Sequence, residues 1–279
     1  MAPKFEIAYA KINLALHVRK RRDDGYHELE SLVAFLDYGD VLEAKWAAED
    51  SFDIAGDYAE LTGDIDNNLV MKAVQFAREY ANIFGPLEIR LTKNLPVAAG
   101  LGGGSADAAA MLRILQYLGF PFGPSDYALT AKYLGADVPA CLFSTPLIMR
   151  GIGEQIELVE DRSLASILAV LVNPNIAVPT GPVFKAWDAV DRGGLPAGTA
   201  LEMALSGRND LQEAAIVLCP EIATILSVLN STNPLVARMS GSGGTCFALY
   251  DNTENASKAC AKIAISHPHW WVRAGNLTA

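Results

Sequence analysis

The segment from Leu95 to Leu115 joins a run of glycines to a strongly helical stretch, and it constrains this chain more than any other feature. Four glycines fall within five positions, so the backbone there can adopt positive φ angles and turn successive N–H groups toward one point. The residues from Ala106 onward favour a helix with regularly spaced apolar side chains. Since unpaired N–H groups and the macrodipole at a helix N-terminus both favour anions, the segment predicts a phosphate-binding loop.

Two other glycine-rich loops do not match this one. A P-loop carries Lys followed by Ser or Thr after its last glycine, where this chain has Ser105 and Ala106. The dinucleotide-binding pattern G-x-G-x-x-G would need a glycine at position 105. The segment therefore predicts a phosphate loop of a different type.

Length and composition limit the classes of protein that fit. The 279 residues, of which 51% are hydrophobic, are enough for one large domain or two modest ones with a substantial core. The net charge of −10, from 22 basic and 32 acidic residues, argues against a general nucleic-acid surface. The N-terminus lacks the apolar core of a signal peptide, and no apolar run is long enough to span a bilayer. We therefore expect a cytoplasmic protein with no nucleic-acid, membrane or obligate protein partner.

The cysteines predict free thiols rather than a metal site. They are widely spaced, lie mostly among apolar residues and lack the spacing of zinc ligands. They are Cys141, Cys219, Cys246 and Cys260.

Strands and helices are mixed along the chain without the regular alternation of a doubly wound fold, which predicts an α+β class in two lobes. Alternating apolar residues predict strands at 6–16, 27–35, 41–46, 87–91, 147–150, 154–158, 167–172, 236–239 and 245–250. Helical spacing predicts helices at 68–84, 106–115, 125–134, 209–218, 221–229 and 254–265.

Lys11 and Asp137 are charged residues in otherwise apolar segments. Lys11 either lies on a solvated strand face beside Tyr9 and Asn13 or faces the phosphate loop as a positive charge for a transferring phosphate. Asp137 either caps a nearby turn or helix or acts as a general base that accepts a hydroxyl proton. The residues alone leave both alternatives open.

Other polar segments also have two interpretations. Ser105 can bond a phosphate, face Mg²⁺ or cap the helix, and the helix dipole alone explains Asp107. The second glycine-rich turn, from Met239 to Thr245, has more glycines than a hairpin needs, which suggests close approach to a ligand or to the first loop. Tyr26 and His27 either stack on and hydrogen-bond a base or pack as ordinary strand residues.

Taken in chain order, these segments resemble the motifs of the GHMP small-molecule kinases, and the resemblance covers nearly the whole chain. The motifs are Ala10-Lys11-Ile12-Asn13-Leu14, Asp24-Gly25-Tyr26-His27, the loop from Pro96 to Ala106, Gly135-Ala136-Asp137-Val138-Pro139 and Ser240-Gly241-Ser242-Gly243. The resemblance implies a two-lobed GHMP kinase fold. Its N-terminal ATP-binding lobe, residues 1–160, would contain a left-handed β-α-β crossover, and its C-terminal lobe, residues 161–279, would be ferredoxin-like.

The resemblance also implies a reaction and a set of roles. ATP, with Mg²⁺ expected beside it, would phosphorylate the 2-hydroxyl of a methylerythritol unit in a small-molecule cytidylyl substrate, with Asp137 as base and Lys11 as its support. No residue is assigned as a metal ligand. The residues implied to bind the nucleotide phosphates are Pro96, Val97, Ala98, Ala99, Gly100, Leu101, Gly102, Gly103, Gly104, Ser105 and Ala106. Those implied to bind the substrate are Asn13, Tyr26, His27, Thr180, Phe184, Gly241 and Ser242, with Gly181 lengthening the family's spacing after Thr180.

Overall fold

A computed structural model describes residues 2–81 and 85–278. The chain divides into two compact units, each assembled from separate stretches of sequence. The first unit contains the stretch ending at Ala10, Tyr38–Val97 and Gly102–Ser144, and the second contains Lys11–Asp37, Ala98–Leu101 and the C-terminal stretch from Thr145. The predicted boundary at residue 160 stays a prediction. Each compact unit is assembled from separate stretches of the chain, so the units do not test a single division of the sequence.

Long strands and buried helices form the first unit. Two strands, β1 (Lys4–Arg21) and β2 (His27–Trp46), each contribute one end to it. Next come β3 (Ser51–Ala55), α1 (Leu69–Ala81), β4 (Leu87–Thr92), α2 (Gly103–Tyr117), α3 (Tyr127–Tyr133) and α4 (Val138–Phe143), with short 3₁₀ turns at Ala59–Leu61, Ile65–Asn67 and Pro124–Asp126.

Parallel pairing of β3 with β4 makes the central motif of this unit. The helix α1 connects the two strands, so β3, α1 and β4 form a β-α-β crossover, while β2 pairs antiparallel with the other edge of β4. The alanine-rich α2 buries Ala106 and the residues through Leu112, which lets it pack closely against α1.

An antiparallel sheet and its helices form most of the second unit. Besides the remaining parts of β1 and β2, this unit contains β5 (Leu147–Gly151), β6 (Gln155–Leu158), β7 (Leu168–Asn173), α5 (Thr180–Lys185), α6 (Ala200–Ser206), α7 (Gln212–Leu218), α8 (Glu221–Asn230), β8 (Val236–Met239), β9 (Cys246–Tyr250), α9 (Thr253–Ser266) and β10 (Trp271–Asn276). Its sheet order is β10-β7-β9-β8, and β5 pairs with β2 and β6. The helices α8 and α9 contact this sheet, which completes the ferredoxin-like β-α-β-β-α-β arrangement.

The predicted α+β class is confirmed, and so is the ferredoxin-like arrangement expected in the C-terminal part of the chain. Several element predictions were wrong. The separate strands at 27–35 and 41–46 are one strand, β2, and β1 extends beyond both predicted ends. The elements that periodicity did not predict are β3, α4, α5, α6 and β10. The predicted helix at 68–84 includes residues 82–84, which lie outside the described residues. None of the helices in the described part of the chain is long and apolar enough to cross a membrane.

Candidate active site

Hydrogen bonds to three consecutive carbonyl groups hold the glycine loop in place. The carbonyl oxygen of Ala99 accepts from the N–H of Thr245 at 3.0 Å, and that of Leu101 accepts from the N–H of Lys11 at 2.9 Å. Between them, the Gly100 oxygen accepts from Ser240 Oγ at 2.9 Å. All of these groups belong to the second unit.

This anchoring determines where the loop N–H groups point. In a trans peptide the carbonyl of one residue and the N–H of the next point in opposite directions. The N–H groups of Gly100, Leu101 and Gly102 are therefore directed away from the partners of the carbonyls. Successive backbone N–H groups in such a turn are the donors from which concave anion sites are built.

Positive backbone angles explain why glycine is required here. Gly100 has φ +74°, and a Cβ on it would lie 2.6 Å from the carbonyl oxygens of both Ser240 and Gly243. Gly102 has φ +62° and forms the left-handed N-cap of α2. The chain thus turns directly from the loop into a helix N-terminus, where the dipole favours phosphate.

The remaining loop residues differ in exposure. Val97 and Ala98 are exposed, whereas Pro96, Ala99 and Ala106 are buried. Gly103, Gly104 and Ser105 form the first turn of α2, where Gly104 is exposed and Ser105 half-buried. Each residue implied to bind nucleotide phosphates therefore lies in the loop or in the first helical residues after it.

The second glycine-rich turn contacts the first loop, as its excess of glycine suggested. Ser240 and Thr245 supply two of the three hydrogen bonds described above, and Gly243 fills the space beside Gly100. Gly241 lies against Asn13, because a Cβ on Gly241 would be 3.3 Å from Asn13 Oδ1. Gly241 and Ser242 therefore border the phosphate loop, and Ser242 Oγ also lies 3.0 Å from Thr180 Oγ1.

Lys11 and Asn13 are buried on β1, which excludes the solvated face considered for them. Only 4% of Lys11 and 3% of Asn13 is exposed. The amide of Asn13 donates from Nδ2 to Ser31 Oγ at 2.7 Å, while its Oδ1 has no hydrogen-bond partner among the described residues. A buried acceptor without a partner is costly, so Asn13 Oδ1 is suited to a hydroxyl of a bound molecule.

Asp137 lies in the first unit, immediately before α4. It occupies the N-cap position of that helix, yet its side chain makes no capping hydrogen bond. Its side chain is half-buried, and the next five residues are buried. The geometry therefore does not support the capping interpretation, and the carboxylate is held on a packed segment.

An aromatic cluster of three residues occupies another part of the second unit. The rings of His27 and Phe184 are 5.1 Å apart at 43°, and Trp187 meets His27 edge-on at 5.7 Å. Since His27 and Phe184 already touch, a base cannot be inserted between them. Tyr26 is 61% exposed beside them in sequence, following the turn at Gly25, and its ring is available to cover a base.

Burial lowers the pKa of His27 from its ordinary value of 6.5, and the positive charge of Arg21 lowers it further. The imidazole is therefore neutral at physiological pH. A neutral imidazole has one donor and one acceptor nitrogen, which suits hydrogen bonding to the edge of a base.

Two sets of residues were missed by sequence reasoning. Trp187 follows Phe184 by three positions, a spacing that puts both on one face of a helical turn and could have indicated it. The buried charged residues Asp40 and Lys93 come from distant positions and carry no sequence signal of their contact. Asp107 was explained by the helix dipole alone, and this was wrong: it lies beyond the first turn of α2 and is buried against the Lys93 ammonium.

Comparisons with known proteins agree with this geometry. Residues 68–145 match the GHMP kinases N-terminal domain, and residues 196–269 match the GHMP kinases C-terminal domain. The chain is 51% identical to the 4-diphosphocytidyl-2-C-methyl-D-erythritol kinase of Erythrobacter litoralis and 49% identical to that of Sphingopyxis alaskensis, covering 98% of each chain in both pairs.

Solved structures of kinases have the same fold as this chain. The chain superposes on a crystal structure of 4-(cytidine 5'-diphospho)-2C-methyl-D-erythritol kinase with a TM-score of 0.83 at 32% identity, covering 99% of this chain and 100% of that one. A homoserine kinase from Cytophaga hutchinsonii shares the fold, with a TM-score of 0.71 at 19% identity, covering 99% of this chain and 95% of that one.

Proposed function

Because the chain belongs to the GHMP kinase family, we propose that it phosphorylates 4-diphosphocytidyl-2-C-methyl-D-erythritol on its 2-hydroxyl. The products are the 2-phosphate and ADP, and the reaction is a step of non-mevalonate isopentenyl diphosphate biosynthesis. The observation that supports phosphoryl transfer best is the anchored glycine loop, which turns through positive φ angles directly into the N-terminus of α2.

In this proposal the loop binds the phosphates of ATP, which is the phosphate donor of a GHMP kinase. The N–H groups of Gly100, Leu101 and Gly102 stabilise the charge on the phosphate oxygens, and the N-terminus of α2 adds its dipole. Mg²⁺ accompanies the nucleotide, where it neutralises phosphate charge.

Proton transfer and positioning are the contributions of Asp137 and Lys11. The substrate's 2-hydroxyl oxygen attacks the γ-phosphorus, its proton passes to the Asp137 carboxylate, and the bond to the β-phosphate oxygen breaks as ADP leaves. Lys11 supports the carboxylate and the migrating phosphoryl group by its positive charge. Asn13 accepts a hydrogen bond from a hydroxyl of the methylerythritol unit through Oδ1.

Recognition of cytosine is assigned to the aromatic cluster. Tyr26 stacks on the base, Phe184 supports it from the side opposite Tyr26, and His27 hydrogen-bonds its edge. Thr180 and Ser242, whose hydroxyls lie 3.0 Å apart, bind the polar groups of the substrate next to the base. Both substrates are nucleotides, so the edge contacts of His27 are what separates cytosine from adenine.

Product analysis tests this assignment. The enzyme is incubated with Mg-ATP and 4-diphosphocytidyl-2-C-methyl-D-erythritol, and the products are examined by phosphorus NMR. We expect ADP and one new phosphomonoester coupled to the carbon skeleton at the 2-position. ADP without a phosphorylated product, or a phosphate on another hydroxyl, would contradict the proposal.

A further inference from the structure

Asp40, Lys93 and Asp107 form a buried ionic cluster in the first unit, which we call the loop clamp. Their exposed fractions are 0%, 4% and 3%. The Lys93 ammonium donates to Asp40 Oδ2 and, at 2.7 Å, to Asp107 Oδ2. Burying three ionisable groups is costly, and well-packed apolar residues often stabilise such a site equally well. Stability alone therefore gives little reason for this cluster.

The loop clamp holds the segment that leads into the phosphate loop. Lys93 follows the end of β4, and Asp40 Oδ1 accepts from the N–H groups of Asn94 at 2.6 Å and Leu95 at 2.9 Å. These residues lead directly into the loop. Asp40 thus fixes the chain at the point where the loop begins.

The other end of the loop is held through Asp107. This residue lies in the N-terminal part of α2, and a Cβ on Gly103, the first residue of that helix, would be 3.7 Å from Lys93 Nζ. One ammonium therefore connects the segment before the loop to the helix after it. Any change in this connection changes the separation and direction of the two loop ends.

We propose that Asp40, Lys93 and Asp107 are positioning residues that hold the two ends of the glycine loop at the separation required for binding the phosphates of ATP. The proposal rests on the proposed function only in naming ATP as the ligand. Its mechanism is preorganisation: a loop held in its binding conformation loses less entropy when the phosphates bind.

The two carboxyl groups of the clamp differ in their hydrogen bonds. Burial raises the pKa of Asp107 to about 8, and the negative charge of Asp40 also raises it, against the opposing effect of Lys93. Asp40 accepts two backbone N–H groups as well as the ammonium. Asp107 accepts from Lys93 through one oxygen, Oδ2, and the carbonyl oxygen of an asparagine can accept the same hydrogen bond.

This difference provides a matched pair of variants. Asp107→Leu removes the acceptor and separates Lys93 from α2, while the Lys93–Asp40 pair remains intact. Asp107→Asn keeps a carbonyl oxygen of the same reach. A surface pair on β2 and β4, Lys45 Nζ and Glu88 Oε1 at 3.0 Å, supplies the control variant Lys45→Met.

The experiment measures the Kd for Mg-ATP by calorimetry on folded proteins, together with KM for each substrate. We expect Asp107→Leu to raise the Kd and KM for ATP about tenfold and to leave KM for the second substrate within about twofold. Asp107→Asn and Lys45→Met should stay within about threefold of wild type for every constant. If Asp107→Leu does not fold, the double variant Lys93→Met/Asp107→Leu, which replaces the bridge with two apolar side chains, takes its place and the same rise is expected.

Wild-type affinity for ATP in the folded Leu variants would overturn the loop clamp. So would an equal increase in both KM values, which indicates a general structural defect, or a tenfold weaker affinity in Asp107→Asn. The measurement of ATP binding does not require turnover. An enzyme that binds ATP but does not phosphorylate the cytidylyl substrate would therefore contradict the proposed function and still test the clamp.

Discussion

Ser240 Oγ donates a hydrogen bond to the carbonyl oxygen of Gly100 across 2.9 Å. The same hydroxyl oxygen accepts from the N–H of Asn13 at 3.1 Å, and Ser240 is fully buried. One hydroxyl therefore connects β1, the phosphate loop and the second glycine-rich turn. This connection explains how three segments distant in sequence share one arrangement of backbone groups.

Replacing Ser240 should weaken ATP binding and lower stability together. Ser240→Ala leaves the part-buried carbonyl of Gly100 and the buried N–H of Asn13 without their partner, at a cost of about 1–3 kcal/mol. We expect a lower melting temperature and a rise of about three- to tenfold in KM for ATP. Circular dichroism measures the melting temperature, and initial rates at varied ATP concentrations measure KM for ATP. Ser231→Ala, which removes a hydroxyl in an exposed turn, is the control. An unchanged KM for ATP in Ser240→Ala would show that this bond does not shape the loop.

A methyl group added at Gly100 should weaken ATP binding more than one added at Gly123. In Gly100→Ala the Cβ would lie 2.6 Å from two carbonyl oxygens at a φ of +74°, so the loop must move. We expect a loss of about tenfold or more in affinity for ATP. The matched variant Gly123→Ala places its Cβ in open space and should bind ATP as wild type does. Equal affinities for the two variants would contradict the described loop geometry.

Tyr26→Ala should affect only the cytidylyl substrate. Stacking of a base on an aromatic ring contributes about 1–3 kcal/mol, so KM for that substrate should rise about fivefold to a hundredfold. KM for ATP and the melting temperature should not change, because Tyr26 is largely exposed. Tyr117, which is exposed on α2, provides the control Tyr117→Ala. Equal increases in both KM values would exclude Tyr26 as a base-stacking residue.

The pH dependence of substrate binding should report the lowered pKa of His27. Since burial lowers that pKa below 6.5, the neutral imidazole persists as pH falls to this value. KM for the cytidylyl substrate should stay constant from about pH 8 to 6.5 and rise only below, when protonation removes the acceptor nitrogen. KM for ATP provides the internal reference. A rise in the substrate KM centred above pH 6.5 would contradict the assignment.

Local patterns predicted much of the fold. Alternation located the strands of the ferredoxin-like sheet except β10, and glycine content located both turns that meet at Gly100. Two failures have physical causes. Polar residues at 37–40 interrupt the alternation of β2, although the strand continues through them. The helix α4 has only six residues, too few for apolar periodicity to indicate it, and it accepts Pro139 in its first turn, where the missing N–H costs nothing.

The site was predictable only where a chemical motif is continuous in sequence. The phosphate loop and Asp137 belong to such motifs, whereas the contact of Trp187 with His27 joins positions far apart. The loop clamp was also not predictable from the sequence, because Lys93 lies 53 positions from Asp40 and 14 from Asp107. Long-range ion pairing has no periodicity, so only the folded chain reveals it.

A comparison of kcat/KM across four alcohols tests the central claim most directly. ADP release from Mg-ATP is measured with 4-diphosphocytidyl-2-C-methyl-D-erythritol, homoserine, galactose and mevalonate, for wild type and Asp137→Asn. We predict turnover with the cytidylyl substrate alone, reduced about 10²–10⁴-fold in Asp137→Asn while affinity for ATP stays nearly unchanged. Turnover with another alcohol instead, no turnover with any despite ATP binding, or full activity in Asp137→Asn would contradict the account.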